Sequence, residues 1–212
     1  MKIKRFIILM FVGLLTSAAI QAQTNTQHIS KLELGKKKKQ YFNDRDSSSV
    51  IYIDTLIMKD KSSLIFMGKK DVKLVVKHAE IGDRASISGI AGRNNASNFD
   101  IEINFKKLGS LYVIARGEDA MNGTRTDPNG DGGIVKLKYD GNGIAPQTTD
   151  RKKKNYLLVD VSAGGRAINP TSDLNQIYSR IAMSAPGLRG LPQGQIYSGS
   201  PGKEGKVEIE KL

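Results

Sequence analysis

The sequence predicts an all-β, single-domain protein built as a β-solenoid of the parallel β-helix type. Short segments alternate apolar and polar residues with period two, and Gly, Asp, Asn, Ser and Lys interrupt them. Ile51 and Leu74 are 23 residues apart, and two later steps have 24 and 22 residues, between Leu111, Val135 and Leu157. One turn of a parallel β-helix has a comparable length. A β-sandwich with long loops gives similar spacings and is the alternative fold.

Residues 1–22 form a predicted export signal. Three cations among the first five residues precede an apolar run from Phe6 to Leu15, and small residues lead to a cleavage site after Ala22. The run is too short for a transmembrane span, and no cysteine follows it for lipid attachment. We therefore expect secretion through the general export pathway to the periplasm or the cell surface, without an integral membrane span.

Charge and cysteine content narrow the function classes. Without the signal, 30 Lys and Arg oppose 21 Asp and Glu, which leaves a net charge of +9 compared with +12 for the whole chain. Such an excess attracts anionic surfaces, including acidic polysaccharide, although a merely solvated basic surface is the competing explanation. The absence of cysteine excludes disulfides, thiol nucleophiles and zinc–thiolate sites. Sparse aromatic residues and the absence of tryptophan argue against nucleic-acid binding by stacking.

The exported chain divides into three predicted parts. Residues 23–49 are a polar, basic lead-in that contains the run Lys36-Lys37-Lys38-Lys39 and a few apolar residues for a short first strand or cap. Residues 50–165 form the β-strand core. Residues 166–212 hold one short C-terminal helix and a glycine-rich tail that ends in a small strand at 207–209. The helix is predicted from apolar residues with i, i+3, i+4, i+7 spacing: Leu174, Ile177, Tyr178 and Ile181.

A sequence of motifs suggests a family. The chain contains, in order, IDTLIMKDKSSLIF, VKLVVKHAEIG, a glycine-rich loop ending GDGGIVKLKYDG, then YLLVDVSAGG and a tail ending GKEGKVEI. In this order it resembles the exported glycine-rich, collagen-like repeat proteins of bacterial envelopes. Such proteins have glycine at almost every third position, whereas this loop has only Gly123, Gly130, Gly132 and Gly133. The resemblance implies a location in the envelope and no activity.

The loop before the last core strands matches the front half of a calcium-binding loop. Asp127, Asn129 and Asp131 supply oxygen ligands at positions 1, 3 and 5, and a glycine follows at position 6. Position 12 is Lys138 instead of glutamate, and a strand follows instead of a helix, so the segment is not an EF-hand. Calcium remains a candidate cofactor, and an ordinary Asx–glycine turn is the alternative.

A second predicted site is a row of lysines on the polar side of the strands. If the strands stack, these lysines form a ladder for a polyanion; alternatively, they discourage edge-to-edge aggregation. The candidate anion-binding residues are Lys73, Lys77, Lys106, Lys136 and Lys138.

These patterns predict a non-catalytic structural or adhesive protein of the bacterial envelope. No nucleophile motif and no pair of histidines at ligand spacing is present, so no catalytic residue is predicted. The first alternative is a module that binds anionic glycan, with or without calcium. The second is a polysaccharide lyase with Arg116 or Lys136 as a base beside the calcium loop.

Overall fold

The structure, a computed structural model, describes residues 25–120, 128–165 and 201–212. These residues form twelve β-strands and no helix, so they contain no helix that could cross a membrane. The strands in chain order are β1 (Asn25–Leu34), β2 (Lys39–Phe42), β3 (Ser48–Met58), β4 (Ser63–Met67), β5 (Asp71–Ile81), β6 (Ala85–Gly92), β7 (Asn95–Ala96), β8 (Asn98–Leu108), β9 (Ser110–Ile114), β10 (Ile134–Tyr139), β11 (Tyr156–Asp160) and β12 (Lys206–Lys211).

The chain visits two sheets alternately. Sheet A has six strands in the order β1-β3-β5-β8-β10-β12, and sheet B has five in the order β11-β9-β6-β4-β2. The short β7 pairs antiparallel with β6 beside this path, and the neighbours within both sheets pair in parallel. Each strand therefore lies beside the strand of the previous turn, which confirms the predicted β-solenoid.

The register agrees with the predicted step in the first turns. Ile51 lies beside Leu74 in sheet A, as their spacing of 23 residues predicts. The steps predicted through Val135 are wrong, because Leu111 pairs with Leu157 in sheet B while Val135 belongs to sheet A. Longer segments between the sheets separate these later turns, and the alternation of side chains alone does not assign a strand to one sheet or the other.

Parallel pairing places equivalent side chains above one another in the core. The inward rows are completely buried, and each buried apolar side chain contributes about 1.5–3 kcal/mol to folding. Phe66 stacks on Phe42 at 4.8 Å between ring centroids and meets Phe99 edge-on at 5.7 Å. The two central rows are Ile51, Leu74, Ile101 and Leu137 in sheet A, and Leu64, Ile87 and Val113 in sheet B.

The polar lead-in contributes the first turn of the solenoid. β1 and β2 pair with β3 and β4, and Leu34 and Phe42 are buried in the common core. At the other end, β12 includes the small strand predicted at 207–209. The predicted export signal and C-terminal helix lie outside the described residues.

Two kinds of corner connect the sheets. At the A-to-B corner the chain passes from a strand of sheet A to the next strand, in sheet B. This corner is short in the first four turns, where it joins β1 to β2, β3 to β4, β5 to β6 and β8 to β9. The B-to-A corner is longer in the later turns, where β9 continues to β10 and β11 continues to β12. The later B-to-A segments are 94–96, 115–118, 129–133, 161–165 and 201–205, and we call them the glycine bundle.

The glycine bundle is held together by backbone hydrogen bonds. The amide of Glu118 donates to the carbonyl of Asn94 at 2.8 Å, Gly130 donates to Glu118 at 2.8 Å, and Gly164 donates to Gly130 at 2.9 Å. A Cβ atom on Gly130 would overlap the carbonyl group of Asn94, so only glycine permits this approach. The sequence suggests glycine-rich excursions outside the core, yet Gly130 and Gly164 are buried.

Candidate functional site: the basic corner

Exposed cations are concentrated on the A-to-B corner of the solenoid. Among the described residues, segments 35–39, 59–62, 82–84, 106–109 and 140–155 carry thirteen of them, against four carboxylates, Asp60, Asp83, Asp140 and Asp150, and Glu80 lies in register beside Lys107. In these segments the described ion pairs include only Lys153 with Asp150, at 3.8 Å. We call this surface the basic corner, and its cations are Lys36, Lys37, Lys38, Lys39, Lys59, Lys61, Arg84, Lys106, Lys107, Arg151, Lys152, Lys153 and Lys154.

Successive turns are tied together at this corner. The amide of Lys37 donates to the carbonyl of Asp60 at 3.0 Å, and that of Lys61 donates to the carbonyl of Asp83 at 2.8 Å. The amide of Arg84 donates to the Ser110 hydroxyl at 2.7 Å. The cations of neighbouring turns are therefore held in a fixed order along the solenoid axis.

Three of the cations have a left-handed backbone conformation. Lys37, Lys61 and Arg84 have φ angles of 61°, 60° and 57° at equivalent positions of three successive turns. This conformation costs an L-residue about 1–2 kcal/mol, and glycine adopts it without that cost. The protein thus carries a basic side chain at three equivalent positions where glycine would fit the backbone better. At the B-to-A corner, Arg93 has the same conformation, with a φ angle of 49°, but no such repetition on neighbouring turns.

The turn-to-turn spacing makes the corner a linear array of charge. Adjacent strands in a sheet lie about 4.8 Å apart, so the five turns that bear these cations extend over roughly 19 Å. An extended chain with closely spaced negative groups could follow such an array along the solenoid axis. A compact monovalent anion would contact only one or two of the cations.

The row of lysines predicted on the strands has a different environment. In sheet A, Asp100 lies in register between Lys73 and Lys136, and Glu208 lies beyond Lys136. Lys136 Nζ is 3.8 Å from the Glu208 carboxylate, and Lys73 Nζ is 3.4 Å from that of Glu102. The Glu102 carboxylate holds the pKa of Lys73 above its ordinary value. This row therefore alternates in charge.

The other predicted lysines are also separated from one another. Lys77 pairs with Asp54 at 2.7 Å, and this hydrogen bond lowers the pKa of the Asp54 carboxyl. Lys138 lies in register between Glu102 and Glu210. Of the five predicted residues, only Lys106 belongs to the basic corner, so the structure does not bring the five together.

Two of the three predicted calcium ligands lie within the part of the chain that the structure describes. Asp127 lies outside that part, whereas Asn129 and Asp131 belong to the glycine bundle. The Asn129 Oδ1 atom accepts from the amide of Ala120 at 2.6 Å, and Asp131 Oδ1 accepts from that of Lys203 at 2.7 Å. Within the described parts of the chain, no group of three or more His, Cys, Asp or Glu is arranged to hold a metal ion. Calcium binding stays a prediction.

One lysine of the B-to-A corner has a structural role that the sequence does not reveal. Lys69 is completely buried, pairs with the Asp44 carboxylate and donates to the main-chain carbonyls of Asp44 and Asp46. Burial lowers the pKa of its amine. The hydroxyl of Ser97 in the next turn donates to the Lys69 carbonyl, so this residue connects three turns.

Comparison of the chain with protein-family models, with curated proteins and with solved structures finds no match. The functional interpretation therefore rests on the geometry and the charge of the basic corner.

Proposed function

We propose that this protein is an exported, non-catalytic adhesive protein of a bacterial envelope that binds an anionic polysaccharide along the basic corner. The observation that carries the proposal is the alignment of Lys37, Lys61 and Arg84 in left-handed conformations on successive turns. Their positions favour a partner that is itself linear and repetitively charged, because three successive turns each offer a charge at the same position.

The contrast with the outer surface of sheet A supports the same site. There the acids Asp100 and Glu208 alternate with the lysines, so the net field is small. At the basic corner, few carboxylates accompany many exposed cations. The field is therefore strongest at the corner, and a polyanion is attracted to it in preference to the sheet surface.

A triple glycine variant tests the proposal. In Lys37→Gly/Lys61→Gly/Arg84→Gly the charges are removed, while the left-handed backbone is retained. The affinity for polygalacturonate should fall about a hundredfold, since each cation near an anionic surface contributes on the order of 1 kcal/mol. The free energy of unfolding should stay the same or rise, by up to about 1 kcal/mol per site.

The matched control removes the same number of charges from sheet A. Lys73→Gln/Lys136→Gln/Lys138→Gln should change the affinity by less than about threefold, because neighbouring acids already neutralise these lysines. Equal losses in the two triple variants would contradict a site at the basic corner. Failure of the wild-type protein to bind either polygalacturonate or the sulfated polymer heparin, or equal binding to neutral dextran, would contradict the proposed function altogether.

Two further measurements test the alternative functions. Thermal melting with calcium and with a chelator tests the ion, and an unchanged melting temperature would remove calcium from the hypotheses. New ultraviolet absorbance from polygalacturonate on incubation with the protein would instead support the polysaccharide lyase.

A further inference from the structure

The fifth turn modifies the basic corner by means of a long loop. Between β10 and β11 the chain takes sixteen residues, 140–155, where earlier A-to-B corners are short. The loop leans over the fourth turn, because the amide of Ile144 donates to the carbonyl of Phe105 at 2.8 Å and the amide of Asn155 donates to that of Leu108 at 3.2 Å. Its tip carries four consecutive cations, Arg151 to Lys154.

One side chain fixes the shape of this loop. Gln147 Oε1 accepts from the amide of Thr149 at 3.0 Å, from its hydroxyl at 3.3 Å and from the amide of Asp150 at 2.9 Å. Gln147 Nε2 donates to the carbonyls of Asp150 at 2.7 Å and Lys154 at 3.3 Å. The four cations are thus presented by a loop that is ordered before any ligand arrives, which lowers the entropic cost of binding.

The loop and the corner border an open cleft of about 920 Å³. Ligand pockets commonly have volumes of about 300–1,000 Å³. Ile144 and the ring of Tyr112 contribute apolar surface to the cleft, and Lys106, Lys107 and the loop cations contribute positive charge, in excess of the carboxylates of Asp60 and Asp83 that also line it. An apolar surface within a basic rim suits a ring with one carbon-rich face and an acidic substituent.

Tyr112 and Arg151 define one side of this cleft. The Arg151 guanidinium carbon lies 5.8 Å from the centre of the Tyr112 ring, and Tyr156 packs edge-on against that ring at 6.1 Å. A guanidinium held over an aromatic ring keeps its donors in a fixed plane, which suits bidentate hydrogen bonding to an oxyanion. Binding of a nucleic acid would require a series of aromatic rings on which the bases stack. Among the described residues that line this cleft, Tyr112 is the one aromatic residue.

We propose that this cleft is a specificity subsite that holds one acidic sugar ring of the bound polysaccharide. The inference rests on the proposed function and extends it: the basic corner attracts the polymer, and the cleft selects the ring. The shared chemistry is a hexose bearing a carboxylate or a sulfate, so both sources are tested.

The probes are trigalacturonate, a sulfated trisaccharide of the heparin type and neutral maltotriose, titrated by calorimetry into the full exported chain. Gln147→Met preserves charge and approximate size but removes the loop's hydrogen bonds, and Tyr112→Leu removes the ring. Each variant should weaken binding of the preferred acidic trisaccharide about tenfold, since loss of preorganisation and of a ring contact both reduce affinity. The better of the two acidic probes identifies the substituent.

Two control variants lie at the other end of the solenoid. Gln40→Met and Tyr41→Leu should leave trisaccharide binding within about twofold, because both residues are in the first turn. Polygalacturonate should bind Gln147→Met with less than about a threefold loss, because the other corner cations remain.

The outcomes separate the two proposals. If polygalacturonate binds through the corner but trigalacturonate and the sulfated probe bind both cleft variants as well as they bind the wild type, the subsite is wrong and the function stands. Equal binding of maltotriose, or stronger competition by a single-stranded oligonucleotide, would overturn the acidic-sugar assignment. If neither polymer nor trisaccharide binds the wild-type protein, the proposed function fails.

Discussion

The A-to-B and B-to-A corners connect the same two sheets, yet exposed cations are more numerous at the first, and close contacts between backbone segments are more numerous at the second. At the A-to-B corner, basic side chains project into solvent from equivalent positions on successive turns. At the B-to-A corner, the backbone segments of the glycine bundle pack against one another, and the side chain of Lys69 is buried. The first arrangement leaves basic side chains free to contact a partner. In the second, the buried Lys69 side chain and the close approach of glycine backbones hold the turns together.

The comparison shows that residue type alone does not indicate the role of a lysine in this fold. Lys61 and Lys69 are eight residues apart, and they lie at opposite corners of one turn. Lys61 is exposed at the basic corner, whereas Lys69 satisfies the carbonyls of an adjacent turn. Substitutions at the two corners should therefore affect different properties of the protein.

The largest expected effect on stability is at Lys69. Lys69→Met should lower the free energy of unfolding by about 3 kcal/mol, because removal of one partner leaves buried polar groups without their hydrogen bonds. Urea denaturation of the chain without residues 1–22 measures this difference. In the matched variant, Lys61→Met, we expect a change within about 0.5 kcal/mol. A comparable loss in both variants would contradict the division between the corners.

A second variant addresses the close approach of backbones. Gly130→Ala should lower the free energy of unfolding by about 2–3 kcal/mol, since its Cβ would overlap the main chain of Asn94 and force the bundle apart. Gly35→Ala at the basic corner meets its nearest neighbour at an ordinary 3.5 Å and should be nearly neutral. Polygalacturonate affinity should remain within about twofold in both proteins as long as they are folded.

The fold itself is largely encoded in patterns that are visible in the sequence. The period-two alternation and the step from Ile51 to Leu74 predict a solenoid, and both follow from the need to stack equivalent side chains in one dry core. The glycine bundle is not predicted, because its hydrogen bonds join segments from distant parts of the chain, such as Gly130 and Gly202, through Gly164.

The candidate site is predicted less well than the fold. Alternation correctly puts Lys73 and Lys136 on the outer side of sheet A, but it does not reveal that Asp100 lies between them. That neighbour is decided by register, which depends on the 27-residue step between Leu74 and Ile101. The basic corner does leave a signal, since Lys37, Lys61 and Arg84 recur at steps of 24 and 23 residues.

Salt dependence distinguishes the corner from specific polar contacts elsewhere. The affinity of the wild-type protein for polygalacturonate should fall at least about tenfold between roughly 50 and 200 mM sodium chloride. Binding at several exposed charges releases counterions, and this release becomes less favourable as the salt concentration rises. The slope of log affinity against log salt should be shallower in the Lys37→Gly/Lys61→Gly/Arg84→Gly protein. A slope that is the same in both proteins would show that these cations do not contact the polymer.

The smallest effect concerns the ion pairs of the sheet surface. In Lys77→Gln, the pKa of Asp54 should rise toward its ordinary value, because the hydrogen bond and the charge that lower it are lost. A carboxyl with a depressed pKa stabilises the folded state above its unfolded pKa, and this stabilisation is lost as the pH falls through the folded pKa. The stability difference between the two proteins should therefore disappear in acid. NMR titration of the Asp54 carboxyl measures the shift, and an unchanged pKa would contradict the pairing.

Protection of individual lysines from acetylation tests the central claim most directly. The chain without residues 1–22 is treated with acetic anhydride with and without saturating polygalacturonate, and the modified lysines are quantified by mass spectrometry. We expect the polymer to protect Lys61, Lys106, Lys107 and Lys154, while the reactivity of Lys73 and Lys136 changes little. Protection of Lys73 and Lys136 with continued acetylation of the corner lysines would contradict that claim.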